Sequence, residues 1–262
     1  MTLLGSETLN QIRSGQLTLG FGVQNLRGAA VPLLAKAAGY DWLFIDAEHG
    51  SISTQEISQI CLAALSAGVA PIVRVCHDAL HEGARALDNG ALGLIIPHVN
   101  TPTEAKRLIE AFRFHPLGRR SMGGSTAQFG FRPPPASEMQ RILNEKILLI
   151  PMIETPEAVG SVDEIIGIEG IDGILVGTSD LTLEMGIPGQ IGHEKVQTAY
   201  HRIAEACRRH NKIFGMGGVY DREWAPRYIA MGARMILAAG DQAFLIEAAT
   251  NRANFLRNLP FA

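Results

Sequence analysis

Three proton-handling side chains, Asp46, Glu48 and His49, stand within four residues directly after the apolar run Trp42-Leu43-Phe44-Ile45. A carboxylate beside an imidazole can orient the ring, fix its tautomer and raise its basicity, so the trio reads as a His49 base supported by Asp46. Two more carboxylates follow apolar runs in the same way. Glu154 comes directly after Pro151-Met152-Ile153, and Asp180 closes the small-residue turn Gly177-Thr178-Ser179. Carboxylates from adjacent strand ends make a cradle for a hard divalent cation such as Mg²⁺ or Mn²⁺, which keeps several waters and leaves room for an oxygen-bearing substrate. Arg74 lies inside the apolar run Ala70–Val75, where a guanidinium is costly to bury unless it is paired or opens onto a site. Its planar fork suits a carboxylate or an enolate oxygen, and an ion pair with Asp46 or Glu48 would serve equally to hold it. Taken singly, Glu154 and Asp180 would pass for acids favoured by a helix dipole. Their recurrence at strand ends is what points to metal-assisted chemistry.

Such groups converge only if the strands that carry them lie side by side. Short apolar runs predict eight strands, at Thr18–Val23, Trp42–Asp46, Ala70–Val75, Leu92–Ile96, Ile147–Ile153, Gly173–Val176, Ile213–Met216 and Met235–Ala238. Helical patterns separate them, several with legible starts. Ser53-Thr54-Gln55-Glu56 is a capping box, Thr101-Pro102-Thr103-Glu104 repeats it with Pro at the first helical position, and Thr155-Pro156-Glu157 is a third start. Gly68 and Gly90 stand where a helix end needs a left-handed residue. Eight alternating βα units predict an α/β fold, a (β/α)8 TIM barrel in a single domain over residues 1–262. An open doubly wound sheet is the alternative, but no GxGxxG follows the first strand. The connection His115–Ser137, rich in Gly and Pro, exceeds the usual loop length. It reads either as a functional lid or as a plain surface crossing. Arg119, Arg120 and Arg132 in it would suit an acidic substrate or a neighbouring subunit.

Composition narrows the function classes. The chain has 262 residues, 47% of them hydrophobic and 19% charged, with a net charge of −3. That is a globular composition without the basic excess expected of a nucleic-acid surface. Cys61, Cys76 and Cys207 lack metal-type spacing, and Cys61 and Cys207 fall in helical apolar patterns as buried thiols. No signal-peptide pattern and no apolar run of membrane-spanning length is present, so a cytoplasmic protein without membrane or nucleic-acid partners is expected.

Several ordered blocks together resemble the HpcH/HpaI family of metal-dependent class II pyruvate aldolases, which includes the 4-hydroxy-2-oxoheptanedioate and 2-dehydro-3-deoxyglucarate aldolases of aromatic and sugar acid catabolism. The blocks are Asp41–His49, Pro71–Arg74, Gly90-Ala91 with Ile96-Pro97, Ile153-Glu154-Thr155 and Gly177–Leu181. The similarity runs over nearly the whole chain. It implies that Glu154 and Asp180 hold a divalent metal (Mg²⁺, Mn²⁺ or Co²⁺) that pyruvate chelates through its keto and carboxylate oxygens. It also implies that backbone amides around Gly177, Thr178, Ser179 and Asp180 bind the carboxylate and that Arg74 binds the keto oxygen. His49, backed by Asp46, would serve the proton transfers. Asp88 would help shape a neighbouring subunit's site. The resemblance further implies a trimer of dimers, a homohexamer in which the last helix, Asp241 to Asn258, is exchanged onto a neighbouring barrel. The expected reaction is reversible cleavage of a 4-hydroxy-2-oxo acid to pyruvate, or a close 2-oxo acid, and an aldehyde.

Two departures bear on the aldehyde half. Met152 stands where many relatives have Gln, and a thioether cannot replace an amide's hydrogen bonds. Gly217-Gly218 leaves space after the seventh strand. Lys146 and Lys212 precede strands and would lie at the far end of a barrel, which argues against a Schiff-base mechanism. The alternatives are decarboxylation of an oxaloacetate-like acid, cleavage of a CoA ester, and a non-catalytic binding barrel. His77, His81, His98, His115, His193, His201 and His210 carry no expected role.

Overall fold

The structure, a computed structural model, describes residues 3–123 and 126–260. After α1 (Ser6–Arg13), strand and helix alternate: β1 (Thr18–Val23), α2 (Ala30–Ala37), β2 (Trp42–Asp46), α3 (Thr54–Ala67), β3 (Ala70–Arg74), α4 (Leu80–Asp88), β4 (Gly93–Ile96) and α5 (Pro102–Phe112). The second half adds α6 (Ala136–Lys146), β5 (Leu148–Ile153), α7 (Pro156–Ile166), β6 (Gly173–Gly177), α8 (Thr178–Glu184), α9 (Glu194–Arg209), β7 (Ile213–Gly217), α10 (Trp224–Ala230), β8 (Met235–Gly240) and α11 (Asp241–Arg257). All eight strands are parallel and β1 pairs with both β2 and β8, which closes the (β/α)8 barrel. The sequence-predicted strands lie within about two residues of the observed ones, the usual uncertainty of element ends.

The sheet is apolar because both of its faces are covered. Trp42, Leu43 and Ile45 of β2 and Ile72 and Val73 of β3 are wholly buried. Full burial of each such side chain stabilises the fold by roughly 1.5–3 kcal/mol. The helices start where their caps say. Ser53 and Thr101 each accept the backbone N–H three residues on, and Glu56 and Glu104 reciprocate. Thr155 caps α7 by accepting from Ala158, without a reciprocal acid. Gly68 ends α3 with φ 73°, and Gly90 follows α4 with φ 106°. Cys61 and Cys207 are buried and all three cysteines are free.

One expectation is resolved against a lid. The segment after α5 crosses the end of the barrel where strands begin. Arg113 donates to Ile147 and Gly170 carbonyls, Arg120 pairs with Asp88 at the end of α4, and Gln128 donates to the Leu87 and Ala91 carbonyls. This face is opposite the strand ends that carry the candidate chemistry. Gly124 and Ser125 lie outside the described residues. Among the described residues no helix is long and apolar enough to cross a membrane.

Candidate active site

Every candidate residue from the strand ends lies at the carboxyl-terminal mouth of the barrel, where this architecture places its chemistry. A cavity of about 260 Å³ opens there, lined among others by Gln24, Asp46, His49, Arg74, Met152 and Ser179. Asp46 and Arg74 are register partners on β2 and β3, which places their side chains together. Arg74 Nε donates to Asp46 Oδ1 at 3.0 Å and Nη2 to Oδ2 at 2.7 Å, a bidentate pair with Arg74 only 8% exposed. Gln24, the first residue after β1, donates its amide to the same Asp46 Oδ2 at 2.8 Å. Burial alone would raise the Asp46 carboxyl, but Arg74, Gln24 and the His49 backbone hold it below its ordinary value. Burial likewise works against the Arg74 charge, and Asp46, Glu48 and Glu154 more than offset it. Arg74 is therefore a fixed, permanent cation whose remaining donors face the cavity.

Asp46 does not orient the His49 ring as the sequence reading expected. Its Oδ1 accepts the backbone N–H groups of Glu48 and His49 at 3.2 Å, so it shapes the turn rather than the imidazole. The carboxylate nearest the ring is Glu48, 3.7 Å from Nε2, and the His49 side chain is 61% exposed at the rim. The physical reason is competition: a guanidinium in the neighbouring register binds Asp46 more strongly than a neutral imidazole would. Glu48 Oε2 forms an ion pair with Arg74 Nη1 at 3.1 Å, and Oε1 lies 3.5 Å from His98 Nε2.

Glu154, directly after β5, is 1% exposed. Its Oε2 accepts the His98 backbone N–H at 2.9 Å, and His98 holds a left-handed backbone, φ 54°, to present that group. Its Oε1 is buried with no partner. A Cβ at Gly177 would collide with this carboxylate, so glycine is what lets β6 pass it. Burial raises the Glu154 pKa, His98 opposes that, and the Asp180 charge adds to it. An orphaned carboxylate oxygen beside a second carboxylate is an unfavourable arrangement in isolation and a favourable one around a cation. The donor set fits a hard divalent ion bound by two carboxylates, its remaining ligands coming from water and substrate.

The segment Gly177–Asp180 is less uniform than expected. Ser179 is exposed and lines the cavity, together with Gly177, Thr178 and Asp180 around the start of α8. The Thr178 side chain, by contrast, is fully buried, its hydroxyl turned to Tyr200 and the Gly217 carbonyl. Met152 does line the cavity, beside Leu175, giving an apolar floor where the resemblance implies an amide. Gly217 and Gly218 line its far wall with Tyr220.

Asp88 is remote from this mouth, paired with Arg120 at 2.8 Å on the opposite face. Gln24, His98 and Tyr220 are the residues that sequence reasoning missed. Gln24 and His98 both follow predicted strands, one and two residues on, and the rule that found Glu154 would have found them.

The HpcH/HpaI aldolase/citrate lyase family pattern matches residues 28–248. The chain belongs to this family. The 4-hydroxy-4-methyl-2-oxoglutarate aldolase of Hapsidospora irregularis is 35% identical over 242 residues, covering 90% of this chain and 89% of that protein. The 2-keto-3-deoxy-L-rhamnonate aldolase of Salmonella paratyphi A is 31% identical over 260 residues, covering 95% and 92%. The crystal structure of an HpcH/HpaI aldolase from Desulfitobacterium hafniense superposes with a TM-score of 0.88 at 28% identity, covering 96% of each chain. The chain is thus an enzyme of the aldehyde-lyase type.

Proposed function

We propose that this aldolase reversibly cleaves a 4-hydroxy-2-oxo acid to pyruvate, or a close 2-oxo acid, and an aldehyde, with a divalent cation held by Glu154 and Asp180. The observation that carries the reading is the buried, unpartnered Glu154 Oε1 beside the Asp180 charge. When bound, the cation supplies Lewis-acid polarisation of the substrate's 2-oxo group. Arg74 adds fixed positive charge where the enolate oxygen develops, held in place by Asp46 and Gln24. The amides at the start of α8 bind the carboxylate. His49, exposed at the rim and beside Glu48, takes the proton of the 4-hydroxyl in cleavage and returns it in synthesis. Among the described residues no lysine lines the cavity, and Lys212 donates to the Ile171 carbonyl at the other end of the barrel.

The same reading covers the assembly. Of α11 only Asp241 is buried, while Leu245, Ile246, Phe255 and Leu256 are all more than half exposed. A helix of that kind is expected to pack on a neighbouring subunit in a homohexamer, and Asp88 to reach a neighbour's site.

The test is pyruvate release from a racemic 4-hydroxy-2-oxo acid by EDTA-treated protein, before and after Mg²⁺ or Mn²⁺ is added. Release only with metal supports the reading. Release without metal overturns the mechanism, and no release from several such acids, with oxaloacetate or a CoA ester consumed instead, replaces the reaction.

A further inference from the structure

Behind the start of α8 lies a hydrogen-bonded chain that no step of the proposed reaction uses directly. Thr178 Oγ1 is 2.7 Å from the Gly217 carbonyl and 2.6 Å from the Tyr200 hydroxyl, with both side chains fully buried. Donor accounting fixes its direction. A carbonyl only accepts, so the single Thr178 proton goes to Gly217. Tyr200 must then donate its proton to Thr178. Burial pushes the Tyr200 phenol far up, so that proton is present at every working pH.

The chain has a rigid foot. The Tyr200 ring, on α9, stacks on Tyr228 of α10 at 3.7 Å between centroids and 16° between planes, and Tyr228 donates to the Ile191 carbonyl. Its other end joins the two strand ends that frame the cavity: Gly177 and Gly217 are register partners on β6 and β7. Gly218 follows with φ 82°, and a Cβ there would stand about 3.1 Å from the Ser179 nitrogen, so the corner is packed closely against the start of α8, whose residues line the cavity. The Thr178 hydroxyl thereby joins α8, α9 and β7.

We propose that Tyr200 is a positioning residue of the reaction, which through Thr178 fixes the backbone amides at the start of α8 against the substrate's carboxylate. It rests on the aldolase reading for the identity of that carboxylate. Amides bind an anion well only when their directions are set beforehand, since any freedom left to the turn is lost on binding. Removing the phenolic hydroxyl leaves Thr178 held by the Gly217 carbonyl alone and the turn less restrained, while the stacked ring stays in place.

The experiment compares Tyr200→Phe, Thr178→Val, the double variant and Thr178→Ser, all as metal-loaded enzyme. It measures kcat and KM for cleavage, inhibition by oxamate as a stable pyruvate mimic, and Tm. Tyr200→Phe is expected to raise KM and the oxamate inhibition constant by roughly three- to tenfold, the worth of one neutral hydrogen bond. The kcat value changes much less. Thr178→Val shows the same pattern, the double variant is no worse than Thr178→Val alone, and Thr178→Ser, which keeps the hydroxyl, is affected less than Thr178→Val. A lowered Tm with KM and oxamate inhibition unchanged in Tyr200→Phe would overturn the proposal, as would additive effects in the double variant. Wild-type protein that neither releases pyruvate nor is inhibited by oxamate would overturn the aldolase reading itself, and the positioning role with it.

Discussion

The barrel carries a buried arginine–carboxylate cluster at each end, and the two are built to opposite standards. At the end where strands begin, Arg113 is 1% exposed and donates to the carbonyls of Asn144, Ile147 and Gly170 and to Asp172. Asp172 is in turn bonded by Arg13 and the Leu149 backbone. That cluster is closed and satisfied. At the mouth, Arg74 is held as firmly by Asp46 and Glu48, yet Glu154 Oε1 is buried with no partner. Similar residue types thus do different work. A satisfied cluster ties the strand starts together, whereas an incomplete one leaves capacity for a cation and a substrate.

The largest expected effect comes from neutralising the incomplete cluster. Glu154→Gln should lower metal-dependent pyruvate release by about a thousandfold or more, several kcal/mol of lost charge stabilisation. The same change should hold or raise the Tm of the metal-free protein, because it removes a poorly compensated buried charge. The closed cluster should respond in the opposite sense. Arg113→Met is expected to cost about 3–5 kcal/mol of stability, a Tm drop of roughly 6–20 °C, with kcat per folded molecule unchanged. Activity lost in step with that Tm at temperatures where the variant is folded would erase the contrast between the two ends.

Asp46 sharpens the contrast through pH. Burial is outweighed by Arg74, Gln24 and backbone donors, so its folded pKa lies below its ordinary value of 3.8. The folded protein then binds this proton more weakly than the unfolded chain. The stability contributed by Asp46 is complete above the unfolded pKa and is lost as pH falls through the folded one. The Tm advantage of wild type over Asp46→Asn should therefore be widest near neutrality and close below about pH 4. An advantage that persisted unchanged at acid pH would mean that Asp46 acts through packing rather than charge.

The smallest effect is expected at His98. Its hydrogen bond to Glu154 runs through a backbone N–H held at φ 54°, with the ring Nδ1 3.6 Å from the same oxygen. Glycine accepts that conformation, so His98→Gly should keep Mn²⁺ affinity within about threefold. A larger loss, read by calorimetric titration of metal, would assign the role to the imidazole.

The fold was legible because the strands are buried on both faces. Runs such as Trp42–Ile45 and Ile72-Val73 could only be covered strands, and the Ser53 and Thr101 boxes fixed where helices begin. The candidate site was legible as far as a polar residue following an apolar run could show it, which was enough for Asp46, Arg74, Glu154 and Asp180. What stayed hidden is set by register and competition between strands. Nothing in the local sequence says that Arg74 would take Asp46 from His49, or that Thr178 would turn its hydroxyl inward to a tyrosine 22 positions away. The long Gly- and Pro-rich segment was ambiguous for a similar reason, since loop composition does not reveal which end of a barrel the loop crosses.

The most direct test of the incomplete cluster as the catalytic centre is a paired titration. EDTA-treated wild type and Glu154→Gln are titrated with Mn²⁺ while bound metal and pyruvate release are followed in the same samples. In wild type, release should rise in proportion to occupancy. In Glu154→Gln, both should be lost together while the barrel stays folded. Pyruvate release that is full before metal binds, or that survives in Glu154→Gln, would contradict the account.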